Sequence, residues 1–562
     1  MPLFVAVLAP GFDGTPALQL AVDDARLMLP YLAFAGPVAV MMALMNAQAR
    51  FALTAFSPLL FNIALISVMA ALLGTGPVAD AFLVAFQLVN VIRRLLTEGA
   101  LNAALVPAWL RLREAGGAAA AAAFAGRVLG TVSAALIVAT ALIGLLMPLI
   151  MTALAPGFAG TPTLQLAVDD ARLMLPYLAF AGPVAVMMAL MNVQGRFALT
   201  AFSPLLFNLA LIAVISALLG WRQDAASAAL IVAGTVGIAG LLQLSILLLR
   251  RGGGLATPLR VSFGADMRGF LRQAIPGMIA SSGPQLLVVG GAIIASSSPA
   301  SVSWLYFANR LIELPLGIVG VAMGTVLVPE LTRSLRGENE TAVTHAESRG
   351  LELAVGLALP ATLGLIVLSE PIVRLLFQHG AFTTADTAAT AQALILLSLG
   401  LPAHVLVKAL SPAFFARHDT LTPLWATLKG FAVAVISALL LGRLFGASGI
   451  AASIALGAWS SALALIRRGA VTFGFSIDAA ARRRLPRIAA AALAMAGLLW
   501  LAMRLAAAPA SGTNGLAQAI LLVILIVAGI AVYGLFLRLF GVTGWREAVS
   551  ALRQTRPADL HG

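Results

Sequence analysis

The residues able to do chemistry in this chain are ionisable groups embedded in apolar runs. The densest set lies in ADAFLVAFQLVNVIRRLLTEGALNAALVPAW, which holds Asp80, Asn90, Arg93, Arg94 and Glu98. On a helix, Arg94 and Glu98 share a face four residues apart, whereas Arg93 is turned about 100° from Arg94. One guanidinium can face a cavity while its neighbour satisfies the helix bundle. Arginine presents a planar fork that fits phosphate oxygens bidentately, so the chemistry on offer is capture of an anion. An interfacial arginine or a structural salt bridge reads the same residues equally well. Arg310 and Glu313 in SWLYFANRLIELPLG share a face three residues apart, with Pro315 following as a place to bend. They offer either a second anion ligand with its charge partner or a self-neutralised structural pair. Lys408, between Pro402 and Pro412, suits a bent helix beside a cavity or a side chain snorkelling to an interface. Glu370, before Pro371 and four residues from Arg374, reads as a capped helix break near the outer surface.

Other chemistries lack their residues. There is no nucleophile–base pair and no phosphate loop, so an enzyme is not expected. There are no cysteines, and the five histidines (His345, His379, His404, His418 and His561) are scattered, so neither a metal nor a cofactor is expected. The net charge of +13 comes from 33 Arg and only two Lys, Lys408 and Lys429. These arginines lie between apolar runs, without the single basic patch and aromatic platform that nucleic-acid binding needs.

The elements that position these groups must sit in a bilayer. Of 562 residues, 61% are hydrophobic and 10% charged, against about 45–50% and about 25% in soluble domains. A spanning helix needs about 20 mostly apolar residues. Fifteen runs meet that: 28–48, 54–74, 80–108, 128–154, 174–194, 201–220, 226–249, 274–296, 302–330, 351–378, 389–415, 421–444, 447–467, 486–506 and 517–540. The fold expected is an all-α polytopic membrane protein. Loops near Arg50, Arg111, Arg127, Arg196, Arg250–Arg272, Arg333, Arg417 and Arg467–Arg487 are basic. Those at Thr75–Ala79, Gly157–Asp170, Ser297–Ser301, Thr383–Asp386, Gly446–Gly449 and Ala507–Gly515 are poor in arginine. The positive-inside rule places the basic loops and the tail with Arg546, Arg553 and Arg556 in the cytoplasm, and the N-terminus outside. Met1–Pro10 lacks the positive n-region of a cleavable signal peptide.

Residues 1–74 repeat residues 147–220 without a gap, 62 of 74 positions being identical. Ancient symmetry in transporters is weak in sequence, so identity this high reads as a recent tandem duplication or an assembly artefact. In physical terms a helix pair is present twice. A fainter echo at offset 222 sets Leu105-Val106-Pro107 and Arg111 against Leu327-Val328-Pro329 and Arg333, as two similar lobes would.

Four stretches, ADAFLVAFQLVNVIRRLLTEGALNAALVP (79–107), SWLYFANRLIELPLGIVGVAMGTVLVPEL (303–331), LSEPIVRLLFQHGAFTTADTAATAQAL (368–394) and LVKALSPAFFARHDTLTP (406–423), resemble the lipid II flippase family known as MurJ or MviN. That family lies within the multidrug/oligosaccharidyl-lipid/polysaccharide exporter superfamily, and the resemblance covers about residues 73–550. It implies two six-helix lobes around a central cationic cavity, plus two C-terminal helices that form a groove for a lipid tail. It implies outward flipping of the undecaprenyl-pyrophosphate-linked disaccharide-pentapeptide by alternating access, in a monomer in the bacterial cytoplasmic membrane, with membrane lipids as neighbours. Arg93 matches the family's functional second-helix arginine, Asp80 the aspartate opening that helix, Glu98 the glutamate a turn further in, and Arg310 the eighth-helix arginine. Lys408 would be an additional cavity cation. Asn309 stands where some members carry an acid. The family's first helix bears an SRVLGFxRD-like motif, which is absent here; the duplicated pair, a copy of family helices four and five, precedes residue 75 instead.

The domains expected are therefore residues 1–74 (duplicated pair), 75–255 (first lobe), 256–470 (second lobe), 471–545 (two further helices) and 546–562 (cytoplasmic tail). Two other readings remain at this point: a related exporter of another polyprenyl-linked glycan or a drug, and a rearranged inactive copy.

Overall fold

The computed structural model describes residues 51–97, 100–194, 197–221, 223–249, 256–262, 264, 266–272, 283–322, 340–415, 417, 419, 421–473, 476–510 and 515–542, and within these every regular element is helical. The helices are α1 (Phe51–Leu73), α2 (Pro77–Thr97), α3 (Ala100–Leu145), α4 (Met147–Leu154), α5 (Pro162–Met174), α6 (Pro176–Val193), α7 (Phe197–Trp221), α8 (Ala225–Leu249), α9 (Gly283–Ala295) and α10 (Ser301–Ala322). They continue as α11 (Glu340–Val367), α12 (Ser369–Phe377), α13 (Thr384–Ser398), α14 (Leu401–Phe415), α15 (Leu421–Phe473), α16 (Ala479–Ala510) and α17 (Gly515–Leu539).

Among the described residues, eight helical stretches are long and apolar enough to cross a membrane, one of which, Leu421–Phe473, joins two neighbouring runs of the sequence. The expected span 28–48 lies outside the described residues, as does the second half of the faint repeat at Leu327–Arg333. The outer faces are apolar: α17 buries Leu522, Leu525, Tyr533 and Leu537 but exposes Ile520, Ile524, Val527 and Ile530. Such a stripe is stable where the surrounding solvent is lipid.

One loop proves to be a helix. Gly157–Asp170, read above as a connecting segment, holds a 3-10 turn at Pro156–Phe158 and then α5. Thr161 is extended and Pro162 occupies the first helical turn, where its missing N–H costs nothing. Ala167, Val168, Ala171 and Met174 are buried along one side, while Gln165 and Arg172 stay exposed. The alternation was too short and too polar to register as a spanning run.

The chain forms two compact units. The first comprises Met1–Gly74, Ala81–Thr152 and Gly160–Ser281. Here α3 packs on α6 through Leu105, Trp109, Phe124, Val128, Met187 and Met191, and Phe270 meets Phe124 edge-on with ring centroids 6.4 Å apart. Helix α8 lies against α5, α6 and α7, and its Gln243 donates through Nε2 to the Ser203 carbonyl at 2.8 Å. Helix α1 packs on α7.

The second unit comprises Thr75–Asp80, Ala153–Ala159 and Ser282–Gly562. Its interior includes a cluster of Phe307, Phe377 and Phe382 with ring centroids 5.2–5.9 Å apart, each such pair contributing about 0.5–1.5 kcal/mol beyond its buried area. Helix α15 doubles back at Gly446, whose φ of 56° suits glycine. Its two arms then approach until a Cβ on Gly457 would lie 2.6 Å from the Gly430 carbonyl oxygen. Close backbone approach of this kind replaces hydrophobic drive, which lipid does not supply between helices. Helices α16 and α17 pack on α11 and α12 through Ile488, Met495, Leu499, Leu525 and Leu537, and Tyr533 donates to the Gly356 carbonyl at 2.8 Å.

Candidate functional site

Helix α2 begins at Pro77 and carries a polar stripe through an otherwise apolar surface. Asp80, Gln87 and Asn90 are buried, and Arg93 is half-buried. Arg93 Nε donates to Asn90 Oδ1 at 3.3 Å, so the amide one turn earlier orients the guanidinium. Gln87 Nε2 is buried without a hydrogen-bond partner among the described residues. A buried unpaired amide costs about 1–3 kcal/mol and in a native chain marks a place for water or a ligand. Gln87 was missed by sequence reasoning; the signal available was its position seven residues after Asp80 and three before Asn90, on the same face. Arg94 belongs to α2, but its side chain, like Glu98 as a whole, lies outside the described residues, and so does the pair expected between them.

Asp80 itself belongs to the second unit. Its carboxylate accepts from the Ser303 backbone N–H at 2.8 Å and from the Ser303 hydroxyl. Ser303 lies in the first turn of α10, where backbone N–H groups have no helical partner and a negative charge is favoured. The neighbouring residue is tied in the same way: Trp304 Nε1 donates to Asp386 Oδ1 at 3.1 Å, and the Thr75 hydroxyl donates to the same oxygen. Asp386 also completes a capping box at the start of α13, accepting from Thr383 N at 2.8 Å and Thr383 Oγ1 at 2.6 Å. Two carboxylates thus bind segment 75–80 to the starts of α10 and α13. Thr75, Ser303, Trp304 and Asp386 were not singled out from sequence, although T-x-x-D is a readable capping pattern.

Two turns along α10, Arg310 forms an ion pair with Glu313 at 2.8 Å and donates through Nη2 to the Tyr306 hydroxyl at 2.9 Å. Its guanidinium stands 4.8 Å from the Tyr306 ring centroid. Asn309 donates to the other Glu313 oxygen at 3.3 Å. Arg310, Glu313, Tyr306 and Asn309 therefore form one half-buried group, Tyr306 having gone unnoticed in sequence and Asn309 serving Glu313 as a donor. Lys408 is exposed on α14, a continuous helix across Pro412; the break near Pro402 falls at Leu399–Gly400, before the helix begins. Glu370 and Arg374 pair on α12, just past the break at Leu368.

The chemistry offered is electrostatic recognition by oriented guanidinium groups. The family model described as "Lipid II flippase MurJ" matches residues 1–70 and 69–517. The "Probable lipid II flippase MurJ" of Rhizobium meliloti (strain 1021) is 39% identical over 87% of this chain and 91% of its own. Its namesake in Rhizobium tropici is 36% identical over 89% and 95%. A solved structure titled "Lipid II flippase MurJ, inward closed conformation" superposes with a TM-score of 0.72 over 90% of this chain and all of that one, at 21% identity, a likeness of fold. Two separate family matches, meeting at residues 69–70, accord with a segment present twice in the sequence. On these grounds the chain belongs to the lipid II flippase MurJ family.

Proposed function

We propose that this chain flips lipid II, the undecaprenyl-pyrophosphate-linked disaccharide-pentapeptide, from the inner to the outer face of the bacterial cytoplasmic membrane. The observation that carries this reading is the family match across 69–517 together with relatives so named at 36–39% identity over most of the chain. It acts as a transporter, without a catalytic step, as a monomer and without nucleic acid. Its C-terminus is cytoplasmic and its N-terminus periplasmic, in keeping with the alternation of basic and bland loops.

Arg93, Arg94, Arg310 and Lys408 would bind the pyrophosphate, with Gln87, Asn90 and Glu98 arranging the α2 cations and Glu313 holding Arg310. In a site of low local dielectric an ion pair is far stronger than in water. Arg310 is already neutralised by Glu313, so a diphosphate would take its place by competing for the guanidinium. Such an exchange binds cargo without leaving a bare cation in the membrane when cargo is absent. Asp80 and Asp386 would act as ties: residues 75–80 group with the second unit while the rest of α2 groups with the first. Releasing Ser303 and Thr75 would let α2 move as one piece, as alternating access requires.

Residues 1–74 would stand in for the family's first helix, with α1 in its place and the copy of helix four ahead of it. The missing SRVLGFxRD-like stretch favours a second reading, a rearranged copy that inserts but does not flip. Expression in cells depleted of their own flippase separates the two. Restored growth supports the flippase. Failure by a well-inserted chain, where a version carrying the usual first helix succeeds, supports the inactive copy.

A further inference from the structure

Helices α1 and α7 are two copies of one sequence. Across 51–73 and 197–219 they differ only at Ile63/Leu209, Ser67/Ala213, Met69/Ile215 and Ala70/Ser216. A side-chain hydrogen bond joins the same position of each copy: Asn208 Nδ2 donates to Asn62 Oδ1 at 3.3 Å, 146 residues apart, which is the offset of the repeat. Asn62 is the midpoint of α1, where an amide at the depth of a bilayer centre needs a partner.

The burial of the two helices repeats as well. Leu65, Ile66, Met69 and Leu72 are buried in α1, and their equivalents Leu211, Ile212, Ile215 and Leu218 are buried in α7. With Asn62 these positions follow the alternating three- and four-residue steps of a helix–helix seam. A single Asn in such a seam fixes register, at some cost in stability. Arg50 and Arg196 precede the two helices at equivalent positions of the repeat, so the positive-inside rule gives both the same direction across the membrane. In a parallel pair, equivalent residues meet at every turn of the seam; in an antiparallel pair they meet at the midpoint alone.

We propose that α1 is held in the first unit by recognising its own twin: α1 and α7 form a parallel, in-register homotypic helix pair keyed by Asn62 and Asn208. The duplicated segment thus brings its binding surface with it. A copy of α7 fits against α7 because the face is self-complementary, as in two-fold symmetric association, and the loops need not specify its position. The inference does not depend on flipping activity.

The natural absence of cysteine makes the test direct. Two double variants of the full-length chain, M69C/I215C and M69C/A201C, are oxidised in native membranes. The first pair is in contact in a parallel seam and the second in an antiparallel one. Intramolecular cross-linking of 69 to 215, with 69/201 at background, is expected. Cross-linking of 69/201, or of neither pair in an inserted chain, overturns the proposal. Adding N62L or N208L to M69C/I215C orphans one amide, and should lower the rate of cross-linking about two- to tenfold. The N62L/N208L double substitution orphans nothing, and should recover part of the rate while allowing off-register pairing, read as new cross-linking when the same substitutions are placed in L65C/I215C. An unchanged rate and unchanged register in all three Leu variants would show that the asparagines are not the key.

Discussion

Asp80, at the start of α2, accepts hydrogen bonds from both the backbone N–H and the hydroxyl of Ser303, at the start of α10, 223 residues away. The contact satisfies a helix N-terminus and buries a carboxylate in one step, which is why neither end is independent of the other. Replacing Asp80 by Ala leaves the Ser303 N–H without its acceptor. The expected loss is about 1–3 kcal/mol, read as a fall of several degrees in the unfolding temperature of the purified protein in detergent. Ser303→Ala, which keeps the N–H, should lose less than half as much. Equal losses in the two variants would contradict a dominant role for the backbone contact.

Arg93 and Arg310 should both be required for activity. Arg93→Ala and Arg310→Ala are both expected to abolish growth rescue while leaving the amount of inserted protein unchanged. Arg310→Lys retains charge but not the fork that reaches Glu313 and Tyr306 together, and should rescue slowly. Glu313→Gln removes the guard on Arg310, and should leave binding of a pyrophosphate lipid intact or tighter while slowing turnover. Normal rescue by both alanine variants would remove these arginines from the site.

Asp478 caps α16, accepting from the Ala481 N–H at 2.6 Å and contacting the His345 ring at 2.9 Å. Partial burial works against its charge, but these hydrogen bonds and His345 outweigh it and hold the carboxyl below its ordinary range. With the folded-state value depressed, its contribution is fully present above the unfolded value of about 3.9 and disappears as pH falls through the folded value. Asp478→Ala should therefore cost about 0.5–2 kcal/mol at pH 7. The gap between the variant and the natural chain should begin to narrow below about pH 4 and go on shrinking as pH falls further in thermal unfolding scans. A gap that did not change with pH would assign the effect to packing instead.

Much of the architecture was legible because a bilayer forces long apolar runs and alternating loop charge. The break at Leu368 lies just before the Glu370–Pro371 pair that signals it, whereas the cap at Thr383–Asp386 read only as an arginine-poor loop although its T-x-x-D pattern is local. The arginines stood out because charge inside an apolar run is costly. What escaped was of two kinds. Helix α5 is too short and too polar to look like a span, and only its burial against α8 reveals the apolar side. The partners of the charged groups (Ser303 for Asp80, Trp304 for Asp386, Tyr306 for Arg310) are ordinary residues whose importance comes from tertiary placement, and nothing in their local sequence marks them. Gln87 lies between these cases, since the face it shares with Asp80 and Asn90 could have been counted.

The central claim is that this chain moves lipid II outward. The most direct measurement is exposure of the lipid's pyrophosphate head group on the outer face of cells depleted of their own flippase, read by cleavage with an impermeant hydrolase added from outside. With this chain expressed, the cleaved fraction should rise to the level of undepleted cells, and Arg310→Ala at equal membrane abundance should return it to background. A cleaved fraction that stays at background with the natural chain fully inserted would contradict the account.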